Sequence, residues 1–124
     1  MAKKILIVED NQHLREILAS VLHTSGYAIL EAATGAQGIE KAVAEKPNLI
    51  ILDLDLPDIT GIDAARTLKN NPTTADIPII ACSALSGAEW REEALRVGII
   101  DYLQKPISLA VIKEKIEEYI LFER

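Results

Sequence analysis

Cysteine is nearly missing from this chain: Cys82 is the only one in 124 residues. One thiol excludes an internal disulfide and argues against a zinc cluster. A reducing, cytoplasmic compartment is therefore the expected setting. Positive charge is also short. Thirteen Lys and Arg against nineteen Asp and Glu leave a formal net charge of −6, which argues against bulk affinity for nucleic acid or an anionic membrane. No apolar window approaches the length of a membrane span. The segment Met1-Ala2-Lys3-Lys4 runs straight into aliphatic residues and is expected to leave no room for a signal peptide. Internal repeats, low-complexity tracts and linker-like stretches are lacking too. The expectation is one domain over residues 1–124, long enough for a real core and too short for two.

What is present is a regular alternation. Aliphatic runs at Ile5–Val8, Leu49–Leu52, Ile79–Cys82 and Ile99–Leu103, with a weaker one at Ala28–Glu31, alternate with amphipathic stretches. The first such stretch repeats Leu14, Ile17, Leu18, Val21 and Leu22 at helical spacing and ends at Gly26. Thr34-Gly35-Ala36-Gln37 reads as a capping box, with Ile39 and Val43 on the buried stripe that follows. Ile62, Ala65 and Leu68 mark a third helix that stops at Asn70-Asn71-Pro72. Ser86-Gly87-Ala88-Glu89 is a second capping box, and Gly98 closes its helix. The last helix starts near Ser108, with Ile107 and Ile112 as a staple and Leu109, Ile112, Ile116 and Ile120 as its stripe. Such alternation implies a parallel sheet covered on both faces, joined by right-handed crossovers.

The chemistry gathers at strand ends. Asp53 ends the run Leu49–Leu52, Glu9-Asp10 follow Ile5–Val8, Ser83 follows Ile79–Cys82, and Lys105-Pro106 follow Gln104. The carboxyl edge of an open α/β sheet is where such folds bind ligands. Carboxylates gathered there repel one another and raise one another's pKa unless a cation joins them. Glu9, Asp10 and Asp53 therefore suggest a hard-oxygen site suited to Mg²⁺, which accepts one or two carboxylates, several waters and phosphate oxygens. A carboxylate can also be the nucleophile in phosphoryl transfer, a reaction that mainly needs positioning and charge neutralisation. Lys105 supplies a cation and Ser83 a hydroxyl donor.

In these residues the chain resembles the receiver domain of two-component response regulators, from Lys4 to about Ile120. Glu9-Asp10 match the family's acidic pair and Asp53 its phosphoacceptor, with Pro57 and Gly61 four and eight residues beyond. Ser83-Ala84 match the switch hydroxyl and the small residue after it, Tyr102 the switch aromatic, and Lys105-Pro106 the Lys-Pro pair with its cis bond. The resemblance implies a flavodoxin-like doubly wound (βα)5 fold with strand order 2-1-3-4-5. It implies Mg²⁺ (or Mn²⁺) held by Asp10 and Asp53 directly, by Glu9 largely through water, and by the Asp55 backbone carbonyl. It implies phosphoryl transfer to Asp53 from a histidine kinase or a histidine phosphotransfer protein, with no turnover catalysis, in a monomer or weak phosphorylation-dependent dimer. Ser83 would then move inward and Tyr102 turn in behind it, altering the face of the fourth helix, fifth strand and fifth helix. Glu at position 9 is an accepted variant; Ser in place of Thr at 83 keeps the hydroxyl and loses a methyl.

Other residues carry blander readings. Glu9 and Asp10 alone read equally well as caps of the first helix, and Lys105 as a solvated lysine. The Asp55 side chain is either a solvated loop acid or a neighbour of the phosphoryl group. Trp90 does not fall cleanly on a stripe with Ala94 and Val97, so it reads as partial core packing or a partner contact. His13 and His23 read as solvated. The exposed side of the first helix, around His13, Leu14 and Ile17, is by resemblance the kinase-docking side. Cys82 reads as a small buried hydrophobe. The rival reading is a haloacid-dehalogenase-like phosphatase using Asp53 and Asp55; against it, that signature belongs on a first strand and the chain is short for that fold. A receiver cut from a hybrid kinase or longer regulator is the other alternative, and the complete final helix is expected to favour a stand-alone protein.

Overall fold

The computed structural model describes residues 2–84 and 88–122, apart from the side chains of Leu121 and Phe122. The elements alternate throughout: β1 (Lys4–Val8), α1 (Gln12–Thr24), β2 (Ala28–Ala32), α2 (Gly35–Glu45), β3 (Leu49–Asp53), α3 (Gly61–Asn70), β4 (Ile79–Ser83), α4 (Ala88–Arg96), β5 (Asp101–Gln104) and α5 (Leu109–Phe122). All pairings are parallel, in the order β2-β1-β3-β4-β5. The doubly wound arrangement expected from the sequence is the one found. Among the described residues no helix is long and apolar enough to cross a membrane.

Strand alternation divides the core into two layers. Leu6, Val8, Ile50, Leu52, Ile79 and Ala81 face α2, α3 and α4; Ile5, Ile7, Leu49, Ile51, Ile80 and Cys82 face α1 and α5. Because β1, β3 and β4 are buried on both sides, they read as unbroken aliphatic runs rather than alternating ones.

Helix ends follow local chemistry. Asn11 caps α1 by accepting the Leu14 N–H at 3.0 Å, and Thr60 caps α3 by accepting the Asp63 N–H at 3.1 Å. Gly26 and Gly98 end α1 and α4 with φ of 97° and 101°, a region where only glycine is unstrained. The Thr34 hydroxyl accepts the Gln37 N–H, but the Gln37 side chain reaches back to the Ala33 N–H rather than to Thr34 itself. The second capping box, Ser86 to Glu89, lies partly outside the described residues.

Two helix faces depart from the expected stripes. Val43 is exposed, and α2 buries Gly35, Gly38 and Ala42 instead. A Cβ on Gly38 would stand 2.8 Å from Val8, so α2 lies too close to the sheet for a larger residue there. Ile17 is exposed as well, while Leu18 and Leu22 carry the buried face of α1. The α5 stripe holds: Ile112, Ile116 and Ile120 are buried, and Ile107 packs in the same layer. Asp101 ties β5 to α5, accepting the Tyr119 hydroxyl at 3.0 Å and pairing with Lys115 at 3.3 Å.

Candidate functional site

Extensions of the sheet ladder bring the strand ends together. The Glu9 N–H bonds the Ala32 carbonyl, Leu54 N–H bonds Cys82, and Lys105 N–H bonds Ser83 at 2.8 Å. Each continues a parallel pairing one residue past the strand, so position in the sheet fixes the residues that follow it. Asp53 and Glu9 are almost fully buried, at 2 % and 3 % exposed, and Ser83 is wholly buried. Asp10 is exposed at their open side.

Lys105 joins the two buried acids. Its Nζ stands 2.8 Å from Glu9 Oε1 and 3.2 Å from Asp53 Oδ2. The Asp55 N–H donates to Asp53 Oδ1 at 2.9 Å, and the Asn11 N–H to Glu9 Oε2 at 3.1 Å. Capping of α1 falls to Asn11, so Glu9 and Asp10 do not serve as its caps. The peptide between Lys105 and Pro106 is cis, as expected.

The electrostatics are those of a site short of cations. Burial, and next the shared contact with Asp53, push the Glu9 carboxyl up to about 7, against the opposing pull of Lys105 and the Asn11 N–H. Burial works against the Lys105 ammonium, yet its bond to Glu9 and the charges of Asp53 and Glu9 hold its pKa above the ordinary lysine value. Beneath the site, burial drives the Cys82 thiol up to about 12. Glu9, Asp10 and Asp53 each offer a carboxylate oxygen within 4.8 Å of the others. Three hard oxygen donors facing one ammonium, with one acid open to water, fit a divalent cation of the Mg²⁺ or Mn²⁺ kind.

Ser83 ends β4, and Tyr102 lies in β5 opposite Ala81. The Ser83 hydroxyl donates to Asp55 Oδ2 at 3.2 Å. Tyr102 is 8 % exposed and packs in the layer that holds Ala81 and Ala94. Tyr102 is thus largely covered in this structure. Trp90 is 39 % exposed and His13 and His23 are exposed.

Two positioning residues, Arg15 and Asp58, escaped the sequence reading, and Gly61, matched there only by its spacing from Asp53, gains a physical reason. Arg15 Nη1–H donates to the Glu9 carbonyl at 2.8 Å while its Nε pairs with Glu31, holding the acidic loop against β2. Asp58 accepts the Gly35 and Ala36 N–H groups at 2.8 and 2.9 Å, pinning the loop after Asp53 to the start of α2; those two bonds hold its carboxyl below the usual range. Gly61 has its reason in space: a Cβ there would lie 2.4 Å from Leu54 Cα and 2.6 Å from the Asp53 carbonyl. Arg15 and Asp58 leave only faint signals in a sequence, because their partners are distant or are backbone.

Residues 5–117 match the family described as the response regulator receiver domain, and the chain belongs to that family. It is 43 % identical over 108 residues to the phosphate regulon transcriptional regulatory protein PhoB of Pseudomonas aeruginosa, covering 87 % of this chain and 47 % of that protein. The chain thus spans about half the length of that relative. It is 30 % identical to the polar-differentiation response regulator DivK of Brucella anthropi, over 97 % of this chain and 98 % of that one. Among solved structures it is similar to the receiver domain of a sensor histidine kinase from Pseudomonas aeruginosa, with a TM-score of 0.88, 30 % identity, and 97 % and 98 % of the two chains covered. That domain was solved with a magnesium ion coordinated in its active-site cleft. Receiver domains are signalling switches of two-component systems. The phosphatase alternative is not favoured: the Asp-x-Asp segment leaves β3, the central strand, with two βα units before it.

Proposed function

We propose that this chain is a phosphorylation-controlled switch whose phosphoacceptor is Asp53. The observation that carries the reading is the pairing of a buried Asp53 with Lys105 at 3.2 Å beside the Glu9-Asp10 pair. A carboxylate oxygen of Asp53 attacks the phosphorus of a phosphohistidine on a histidine kinase or histidine phosphotransfer protein. An O–P bond forms, the P–N bond breaks with its electron pair going to the imidazole, and an acyl phosphate results. Asp10 and Asp53 would hold Mg²⁺ or Mn²⁺ directly, with Glu9 through water and the Asp55 carbonyl. When bound there, the ion supplies charge neutralisation for the phosphoryl oxygens. Lys105 meets one of those oxygens, and Asp55 N–H keeps the carboxylate oriented. Ser83 then turns its hydroxyl to the phosphoryl group, and the change passes through Tyr102 to the face of α4, β5 and α5. Coupling of this kind is typically worth about 1–3 kcal/mol.

Residues 1–124 act in this reading as one receiver unit in the cytoplasm, a monomer or weak phosphorylation-dependent dimer that signals by binding a protein partner and turns over no substrate. A second reading, the receiver of a longer regulator, is supported by the 43 % identity to PhoB; the length of the natural gene product decides it. Incubation with Mg²⁺ and a small phosphodonor, followed by intact-mass detection, tests the central claim. One phosphoryl adduct is expected on the wild type and none on Asp53→Ala. An undiminished adduct on Asp53→Ala would sink it.

A further inference from the structure

Asp55 grips both halves of the site. Its N–H holds Asp53 Oδ1 at 2.9 Å, while its side-chain Oδ2 accepts two donors at once: the Ser83 hydroxyl at 3.2 Å and the Ala84 N–H, also at 3.2 Å. Two donors from consecutive residues converging on one anionic oxygen form an anion cradle. The cradle lies at the end of β4, next to β3, where Asp53 pairs in register with Cys82. Through its N–H bond to Asp53, Asp55 links the cradle to the phosphoacceptor candidate, and this carboxylate of the chain's own already fills it.

We infer that the Asp55 carboxylate is an internal competitor for the Ser83 and Ala84 donors, a latch that a phosphoryl group on Asp53 must displace. The inference rests on the phosphoacceptor reading of Asp53 and adds a role for a side chain that reading leaves unused. Displacement follows from charge. A phosphoryl group brings roughly two negative charges and three strong acceptor oxygens, against the single charge of an exposed carboxylate partly solvated by water. Weaker anions carry no such advantage, so the latch makes the switch selective for a group that is covalently held and doubly charged. It also sets a threshold: the bonds to Asp55 are lost when those to the phosphoryl oxygens form, and only the difference drives β4 and α4. Side-chain substitution of Asp55 removes the latch oxygen, and the Mg²⁺ affinity of each variant, measured alongside, separates any change at the Asp55 backbone groups from loss of the latch.

A double-mutant cycle with beryllofluoride and Mg²⁺ tests this, using wild type, Asp55→Ala, Ser83→Ala and the double variant, with half-saturation read by ¹⁹F NMR. Asp55→Ala is expected to tighten beryllofluoride binding roughly three- to tenfold. That gain should shrink by about twofold or more in the Ser83→Ala background, because there Asp55 has lost one of its two donors. Equal gains in both backgrounds would mean that Asp55 acts only as a nearby negative charge, and would overturn the latch. Weaker binding on Asp55→Ala would overturn it as well. In the free protein, the Ala84 amide proton should move upfield on Asp55→Ala as it loses its carboxylate partner; an unmoved resonance refutes the contact. A wild type that takes up no beryllofluoride at saturating Mg²⁺ overturns the phosphoacceptor reading itself, whereas normal uptake with equal gains overturns the latch alone.

Discussion

The helices α3 and α4 lie on the same face of one sheet, yet they are held very differently. α3 buries Gly61, Ile62, Ala64, Ala65 and Leu68, so half of its length is core. Both its ends are stitched down. Gly61 N–H bonds Leu54, Thr60 caps the start, and the Thr74 hydroxyl bonds the Leu68 carbonyl at 2.6 Å. α4 buries one residue of nine, Ala94, and leaves Trp90 and Leu95 at 39 % and 48 % exposed. Few buried apolar contacts mark a segment of low local stability. Asp53 therefore stands on the firm flank of the sheet and Ser83 next to the lightly held one. In the proposed switch, a signal worth about 1–3 kcal/mol would shift α4 without disturbing Asp53.

The sharpest way to break this comparison is a pair of matched truncations. Leu68→Ala on α3 is expected to cost about 2–5 kcal/mol in denaturant unfolding, whereas Leu95→Ala on α4 should stay within about 0.5 kcal/mol; equal costs would erase the distinction. Gly61→Ala comes next. Its added methyl meets backbone at 2.4 Å, which should cost about 1–3 kcal/mol and slow Asp53 phosphorylation by shifting Leu54. Full stability and a normal rate would show that the firm flank yields more easily than its packing indicates.

The smallest effect is a pH slope. The folded-state pKa of Glu9 is raised to about 7 from an ordinary 4.5, so its protonated form favours the fold. That stability is fully present below about 4.5 and is lost as pH rises through about 7. Metal-free protein should show a falling melting midpoint across that window, and Glu9→Gln should flatten the slope. A slope unchanged in Glu9→Gln would assign it to another group.

Most of the fold was legible because parallel strands buried on both faces cannot hide: Ile5–Val8, Leu49–Leu52 and Ile79–Cys82 admit few other readings. The candidate site was legible for the same reason, since each of its residues stands at or just beyond a strand end. Errors arose where glycine stands in for an apolar residue. Gly35 and Gly38 carry the buried face of α2, but periodicity counts only side chains and so favoured Val43. The Asp58 tether joins residues 23 apart, and nothing local in Pro57-Asp58 announces which helix start it will cap. Asp55 was ambiguous because its two bonds depend on how β4 ends, which no spacing encodes.

Cys82 has a use that follows from its place in β4. Alkylating reagents react with thiolate, and a thiol 2 % exposed with its pKa pushed up to about 12 offers almost none while the sheet is closed. Each labelling event then counts one opening of the strand that carries Ser83. As the sole cysteine, it gives the protein a built-in clock for local unfolding beside its own signalling site, free of any foreign probe.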